Sequence, residues 1–126
     1  MTRVLVVEDS SAMRAFVRAA LEEELGAEVM EAESGLRALR NLPGESFDLV
    51  IVDVNMPDLN GLELVSFIRK HERHATTPIL LISTEAAARD REKGIALGAN
   101  GFLSKPFTPD ALCERARELI GGSDSG

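Results

Sequence analysis

The sequence predicts a doubly wound α/β fold, a parallel sheet of five strands covered by helices on both sides. Three observations carry that prediction. Five short runs of β-branched or other apolar residues recur along the chain, segments with apolar residues at three- and four-residue spacing alternate with them, and the connections are short. Parallel neighbours need a crossover of helix length, so regular alternation of strand and helix favours a parallel sheet over an antiparallel one.

Arg3–Val7 is a β-branched run and predicts the first strand. Ser10–Leu25 carries Met13, Phe16, Val17, Ala20, Leu21 and Leu25 at helical spacing, and Gly26 supplies the residue that a left-handed helix end favours. Glu28–Ala32 predicts a second strand and Ser34–Leu42 a second helix, ended by Pro43-Gly44. Phe47–Asp53 is the most continuously apolar strand candidate, the pattern of a strand buried on both faces. A loop with Pro57 and Gly61 leads into a third helix bearing Leu62, Leu64, Val65 and Ile68. Pro78–Ser83 and Gly101–Ser104 predict the last two strands, with helices over Ala86–Leu97 and Pro109–Ile120; Gly94 and Gly98 weaken the pattern of the former. Such a chain suits the flavodoxin-like order 2-1-3-4-5, with right-handed crossovers and a crevice at the carboxyl ends of strands one and three.

Composition narrows the function classes. The length of 126 residues suits one domain, expected over residues 1–121, and the Gly/Ser-rich residues 122–126 read as a flexible tail. Lys plus Arg total 14 and Asp plus Glu 21, so the net charge of 14 − 21 = −7 argues against direct binding of nucleic acid or of anionic lipid. No apolar stretch has the length of a membrane span, and the N-terminus lacks the pattern of an export signal; the expected compartment is the cytoplasm and the expected state a monomer. The single cysteine, Cys113, has no partner for an internal disulfide and reads as a passive thiol. His71 and His74, in the charged string Lys70-His71-Glu72-Arg73-His74, lack a third zinc ligand and read as solvated surface.

The chemistry is expected at the strand ends. A nucleotide-binding domain of this topology would place glycines after the first strand, where this chain has Glu8-Asp9-Ser10-Ser11. Asp53 ends the third strand, so three carboxylates should converge in one crevice. Carboxylates about 5 Å apart repel by ~3 kcal/mol per pair at an effective dielectric near 20, so such a cluster needs a cation, a proton or water. Hard oxygen ligands point to Mg²⁺. On the residues alone, Glu8 and Asp9 equally suit capping of the first helix. Ser83 ends the fourth strand and Lys105 follows the fifth, adding a hydroxyl and an ammonium group to the same rim. Together the five side chains make a constellation for phosphoryl transfer, with Asp53 as acceptor.

Four strings, Val7-Glu8-Asp9-Ser10-Ser11, Asp53 through Gly61, Ser83-Thr84-Glu85 and Lys105-Pro106-Phe107, stand in the order and on the elements at which the chain resembles the receiver domain of two-component response regulators, of the chemotaxis-regulator type. The resemblance covers about Arg3 to Ile120. It implies that Asp53 takes a phosphoryl group from a sensor histidine kinase or phosphotransfer protein, with Mg²⁺ bound by Asp9, Asp53 and the backbone carbonyl of Asn55, and Glu8 acting through water. It further implies a Lys105 paired with phosphoryl oxygens, a cis bond from Lys105 to Pro106, Ser83 as switch hydroxyl, and Phe102 at the place of the switch aromatic. Phe102 also suits an ordinary core residue of the fifth strand. The implied readout face, made by the fourth helix, fifth strand and fifth helix, would include Arg89, Lys93, Phe102 and Phe107 and would signal to an output protein whose identity the sequence leaves open. Departures from the family pattern are Glu8 for Asp, Ser83 for Thr, Phe102 for Tyr and Thr84 for a smaller residue, while Asn55 and Glu85 fall where the family tunes dephosphorylation.

Rival classes are separable on the same residues. A phosphatase with an aspartyl-phosphate intermediate needs an acid two residues after the nucleophile, and Asn55, a carboxamide, stands there. A docking-only receiver would have no need of Glu8, Asp9, Asp53, Ser83 and Lys105 together. A receiver cut from a longer regulator or hybrid kinase would share the chemistry and differ in output.

Overall fold

The computed structural model describes residues 1–84 and 90–124. Among the described residues five strands alternate with five helices: β1 Arg3–Val7, α1 Ser11–Leu25, β2 Glu28–Ala32, α2 Gly35–Asn41, β3 Leu49–Asp53, α3 Gly61–Lys70, β4 Ile79–Thr84, α4 Asp90–Leu97, β5 Gly101–Lys105 and α5 Pro109–Asp124, with a 3₁₀ turn at Glu72–His74. All pairings are parallel, in the order β2-β1-β3-β4-β5. The predicted doubly wound α/β sheet is therefore the observed one.

Strand periodicity divides the core in two. Leu5, Val7, Val50, Val52, Ile79 and Leu81 point to the layer formed by α2, α3 and the Ala99–Phe102 region, with Ala38, Leu64, Val65 and Ile68 opposite them. Val4, Val6, Leu49, Ile51, Leu80 and Ile82 point the other way, onto Val17, Ala20 and Leu21 of α1 and Leu112, Cys113 and Ala116 of α5. Every residue of β3 is buried, because helices cover it on both faces.

Helix ends follow local chemistry. Ser10, Ser34 and Asn60 accept backbone N–H groups from Met13, Arg37 and Leu62 and so cap α1, α2 and α3. Gly26 ends α1 with φ of 62°. Gly94, which weakens the helical pattern in the sequence, is buried where α4 lies directly on Leu81, and a Cβ there would collide with that side chain. Ala86–Arg89, the expected first turn of α4, and Glu85 lie outside the described residues. The last helix continues to Asp124, past Ile120 where the apolar pattern stops and into residues that composition assigns to a tail. Propagation adds a hydrogen bond per residue without a new nucleus, so small residues can prolong an existing helix.

Three expectations need correction. His74 is fully buried rather than solvated: its Nε2–H donates to the Leu42 carbonyl at 2.9 Å and its Nδ1 accepts from the Thr77 hydroxyl at 3.3 Å. It gives the Leu42 carbonyl at the end of α2 a shorter bond than the 3.4 Å one from the Glu45 N–H, and it stacks on Phe47. Phe102 is 7% exposed and belongs to the core that includes Leu64, Val65 and Ile68 of α3, as the ordinary-core reading of the fifth strand has it, so it adds little surface to the expected readout face. Phe107 packs against Phe16 of α1, ring centroids 5.9 Å apart, which places it on the α1 side.

Candidate functional site

The carboxyl ends of β1, β3, β4 and β5 bring the predicted residues together. Glu8 and Asp9 follow β1, Asp53 ends β3, Ser83 lies near the end of β4 and Lys105 ends β5. One carboxylate oxygen from each of Glu8, Asp9 and Asp53 lies within 4.8 Å of the others. Glu8 and Asp53 are buried and Asp9 is exposed, so the cluster opens to solvent on one side.

Lys105 closes the buried side. Its ammonium lies 2.9 Å from Glu8 Oε1 and 3.4 Å from Asp53 Oδ1. The other Glu8 oxygen, Oε2, accepts the Ser10 N–H at 3.0 Å. Burial by itself would lower the pKa of the Lys105 ammonium, but the Glu8 hydrogen bond and the charges of Asp53 and Glu8 raise it above the ordinary lysine value. The Asp9 carboxyl is also raised, first by burial and then by its hydrogen bond and charge contact with Glu8. The charge surplus in the cluster is thus partly met by the ammonium, and what remains makes the Asp9 carboxyl harder to ionise.

Backbone pairing sets the far wall. The Val54 N–H donates to the Ile82 carbonyl at 2.9 Å, and Gly61 N–H returns to the Val54 carbonyl at 3.0 Å, folding the loop after β3 back onto its strand end. Gly61 makes the closest approach: a Cβ there would lie 2.7 Å from Val54 Cα and against the Asp53 carbonyl. Asn55, next along the loop, donates its N–H to Asp53 Oδ1 at 3.1 Å and accepts the Ser83 hydroxyl on its side-chain Oδ1, also at 3.1 Å. The Lys105–Pro106 bond is cis.

Two contributors escape the sequence reading. Arg14 Nη1 donates to the Glu8 carbonyl at 2.7 Å and its Nε pairs with Glu31 at 3.1 Å, so β2 and α1 together brace the loop carrying the acids. The cue in the sequence was weak: an arginine one turn into the helix that follows the acidic pair. The bond from the Ser83 hydroxyl to the Asn55 side chain is the other, since the resemblance puts that side chain only where dephosphorylation is tuned.

Buried acids, a paired lysine and a buried hydroxyl at the carboxyl ends of a parallel five-stranded sheet define a receiver domain. The chain matches the model of the response regulator receiver domain over residues 4–117 and belongs to that family, in its chemotaxis-regulator type. It is 36% identical over 126 residues to the chemotaxis protein CheY homolog of Campylobacter jejuni, covering 98% of this chain and 97% of that one. Among solved structures it is similar to the chemotaxis protein CheY4 of Vibrio cholerae, with TM-score 0.89 and 38% identity over 94% of this chain and 98% of the other. The receiver domain of a sensor histidine kinase from Pseudomonas aeruginosa, described with a magnesium ion coordinated in its active site cleft, superposes with TM-score 0.86 at 29% identity, covering 95% and 98% of the two chains. No described helix is long and apolar enough to cross a membrane.

Proposed function

We propose that this receiver accepts a phosphoryl group on Asp53 from the phosphohistidine of a sensor histidine kinase or phosphotransfer protein and passes the signal to an output protein. An Asp53 carboxylate oxygen bonds to phosphorus as the phosphorus–nitrogen bond to the donor imidazole breaks. The electron pair stays on that nitrogen, which takes its proton from solvent. The observation that carries this reading is the convergence of the buried Asp53 carboxylate with two further carboxylates and the Lys105 ammonium in one crevice.

The donor set is all oxygen and rich in carboxylate, which fits a hard divalent ion. Asp9, Asp53 and the Asn55 carbonyl would hold Mg²⁺, with Glu8 acting through water; when bound, the ion neutralises charge on the phosphoryl oxygens. Lys105 then pairs with a phosphoryl oxygen in place of its present carboxylate partners, and Ser83 donates a hydrogen bond to another. The movement of Ser83 is felt by Phe102 through β4–β5 pairing, in which Leu81 faces Phe102 and Ser83 faces Ser104. The output surface is the α4–β5–α5 face, including the exposed Lys93. The unit over residues 1–121 works as a cytoplasmic monomer without direct contact to nucleic acid.

Incubation with acetyl phosphate tests the reading. The chain should gain one phosphoryl group only when Mg²⁺ is present, and Asp53→Asn should gain none while keeping its circular dichroism spectrum. Metal-independent labelling, or undiminished labelling of Asp53→Asn, would contradict it.

A further inference from the structure

Asn55 joins the acceptor to the switch hydroxyl. Its N–H is bonded to the Asp53 carboxylate and its side-chain carbonyl oxygen accepts the Ser83 O–H, both at 3.1 Å. Ser83 has no exposed surface, so water cannot replace that acceptor. A hydroxyl has one proton to donate. To donate toward a phosphoryl oxygen on Asp53, Ser83 must first release Asn55.

We infer that the Asn55 carboxamide is a positioning residue that latches Ser83 in the resting state, so that signalling exchanges one hydrogen bond for another. The inference rests on the phosphoryl-acceptor reading and concerns regulation of the same site. Two states compete: in one Ser83 donates to Asn55, in the other to the phosphoryl group. A ligand shifts such an equilibrium only by its preference between states, and the latch subtracts from that preference. The backbone fixes the geometry of the latch, because Val54 N–H to the Ile82 carbonyl locks the residues that precede Asn55 and Ser83. Loss of the Asn55 acceptor removes a contact present only at rest, and the phosphoryl-bound state gains accordingly.

The test is a double-mutant cycle of Asn55→Ala and Ser83→Ala, reading equilibrium affinity for beryllofluoride, a non-hydrolysing phosphoryl mimic, by ¹⁹F NMR in Mg²⁺. Asn55→Ala should bind it about fivefold more tightly, the worth of one net hydrogen bond, and that gain should vanish in the Ser83→Ala background. The Ser83 amide resonance of the metal-free chain should also move in Asn55→Ala toward its beryllofluoride-bound position, which a purely steric change near the acceptor would not produce. An Asn55→Ala effect of equal size with and without the Ser83 hydroxyl overturns the latch but leaves the acceptor reading intact. If the parent chain neither binds beryllofluoride nor takes label from acetyl phosphate, the acceptor reading itself falls.

Discussion

Replacing Lys105 with methionine keeps the aliphatic stem and removes the charge, which makes it the sharpest probe of how the acid cluster is held together. The ammonium sits 2.9 Å from a Glu8 oxygen and 3.4 Å from an Asp53 oxygen, with the Lys105 side chain 18% exposed. At an effective dielectric near 20, each contact attracts by about 5 kcal/mol before desolvation, and two carboxylate oxygens at the 4.8 Å limit of the cluster repel by about 3.5 kcal/mol. Desolvation of the ammonium cancels much of that attraction, whereas removal of one partner strands the other charges. Breaking a buried pair costs about 3–5 kcal/mol, and the partial exposure of Lys105 puts Lys105→Met near the lower end. For a chain of 126 residues, 3 kcal/mol corresponds to about 11 °C in Tm. Urea melts in EDTA should register this loss, and Mg²⁺ should recover more stability for Lys105→Met than for the parent, because the ion supplies the missing charge. A loss under about 1 kcal/mol in EDTA, or equal recovery by Mg²⁺ in both chains, would refute the reasoning.

Four more expectations follow from particular residues. Asp9 holds its proton above the ordinary 3.8, so in the metal-free chain it contributes stability below that pH, which is lost as pH rises through its raised value. Titration should therefore find Mg²⁺ affinity falling with pH from above 3.8, and Asp9→Asn should stabilise the metal-free chain at neutral pH while weakening Mg²⁺ at least about tenfold. Cys113, pushed up to about 12 first by burial and then by Glu24, should resist alkylation at pH 8 until the chain unfolds, and its contribution to stability should decline as pH rises from 9.0 toward 12. His74→Ala should cost about 3 kcal/mol in urea melts, since it opens a cavity and leaves the Leu42 carbonyl with only the longer 3.4 Å bond from the Glu45 N–H. Gly61→Ala should displace the Asp53 backbone; amide shifts at residues 53–55 and a lowered Mg²⁺ affinity would register it, and unchanged spectra would contradict the close approach.

The fold was legible because its signals are local. Each strand declares itself by a short β-branched run, and the alternate residues Val4, Leu5, Val6 and Val7 feed the two cores in turn. The candidate site was legible to the extent that topology aligns strand ends: once β1, β3, β4 and β5 lie side by side, residues 8, 9, 53, 83 and 105 meet. Pairing within the site was not legible. Lys105 chooses Glu8 across 97 residues, and Asn55 chooses Ser83 across 28, by side-chain reach that no sequence spacing encodes. His74 shows the same limit, because charged neighbours mark its string as surface while its partner is a carbonyl 32 residues earlier. Phe102 and Phe107 were assigned to one face by analogy, and strand periodicity with the Phe16 contact sends them to different cores.

The central claim, that Asp53 is the phosphoryl acceptor, is most directly tested by reductive trapping. The chain is labelled with acetyl phosphate in Mg²⁺, treated with borohydride to reduce any acyl phosphate to the alcohol, digested and mapped by mass spectrometry. Homoserine at position 53, absent when EDTA replaces Mg²⁺, is the predicted result; reduction at Glu8 or Asp9 instead, or at no carboxylate, would contradict it.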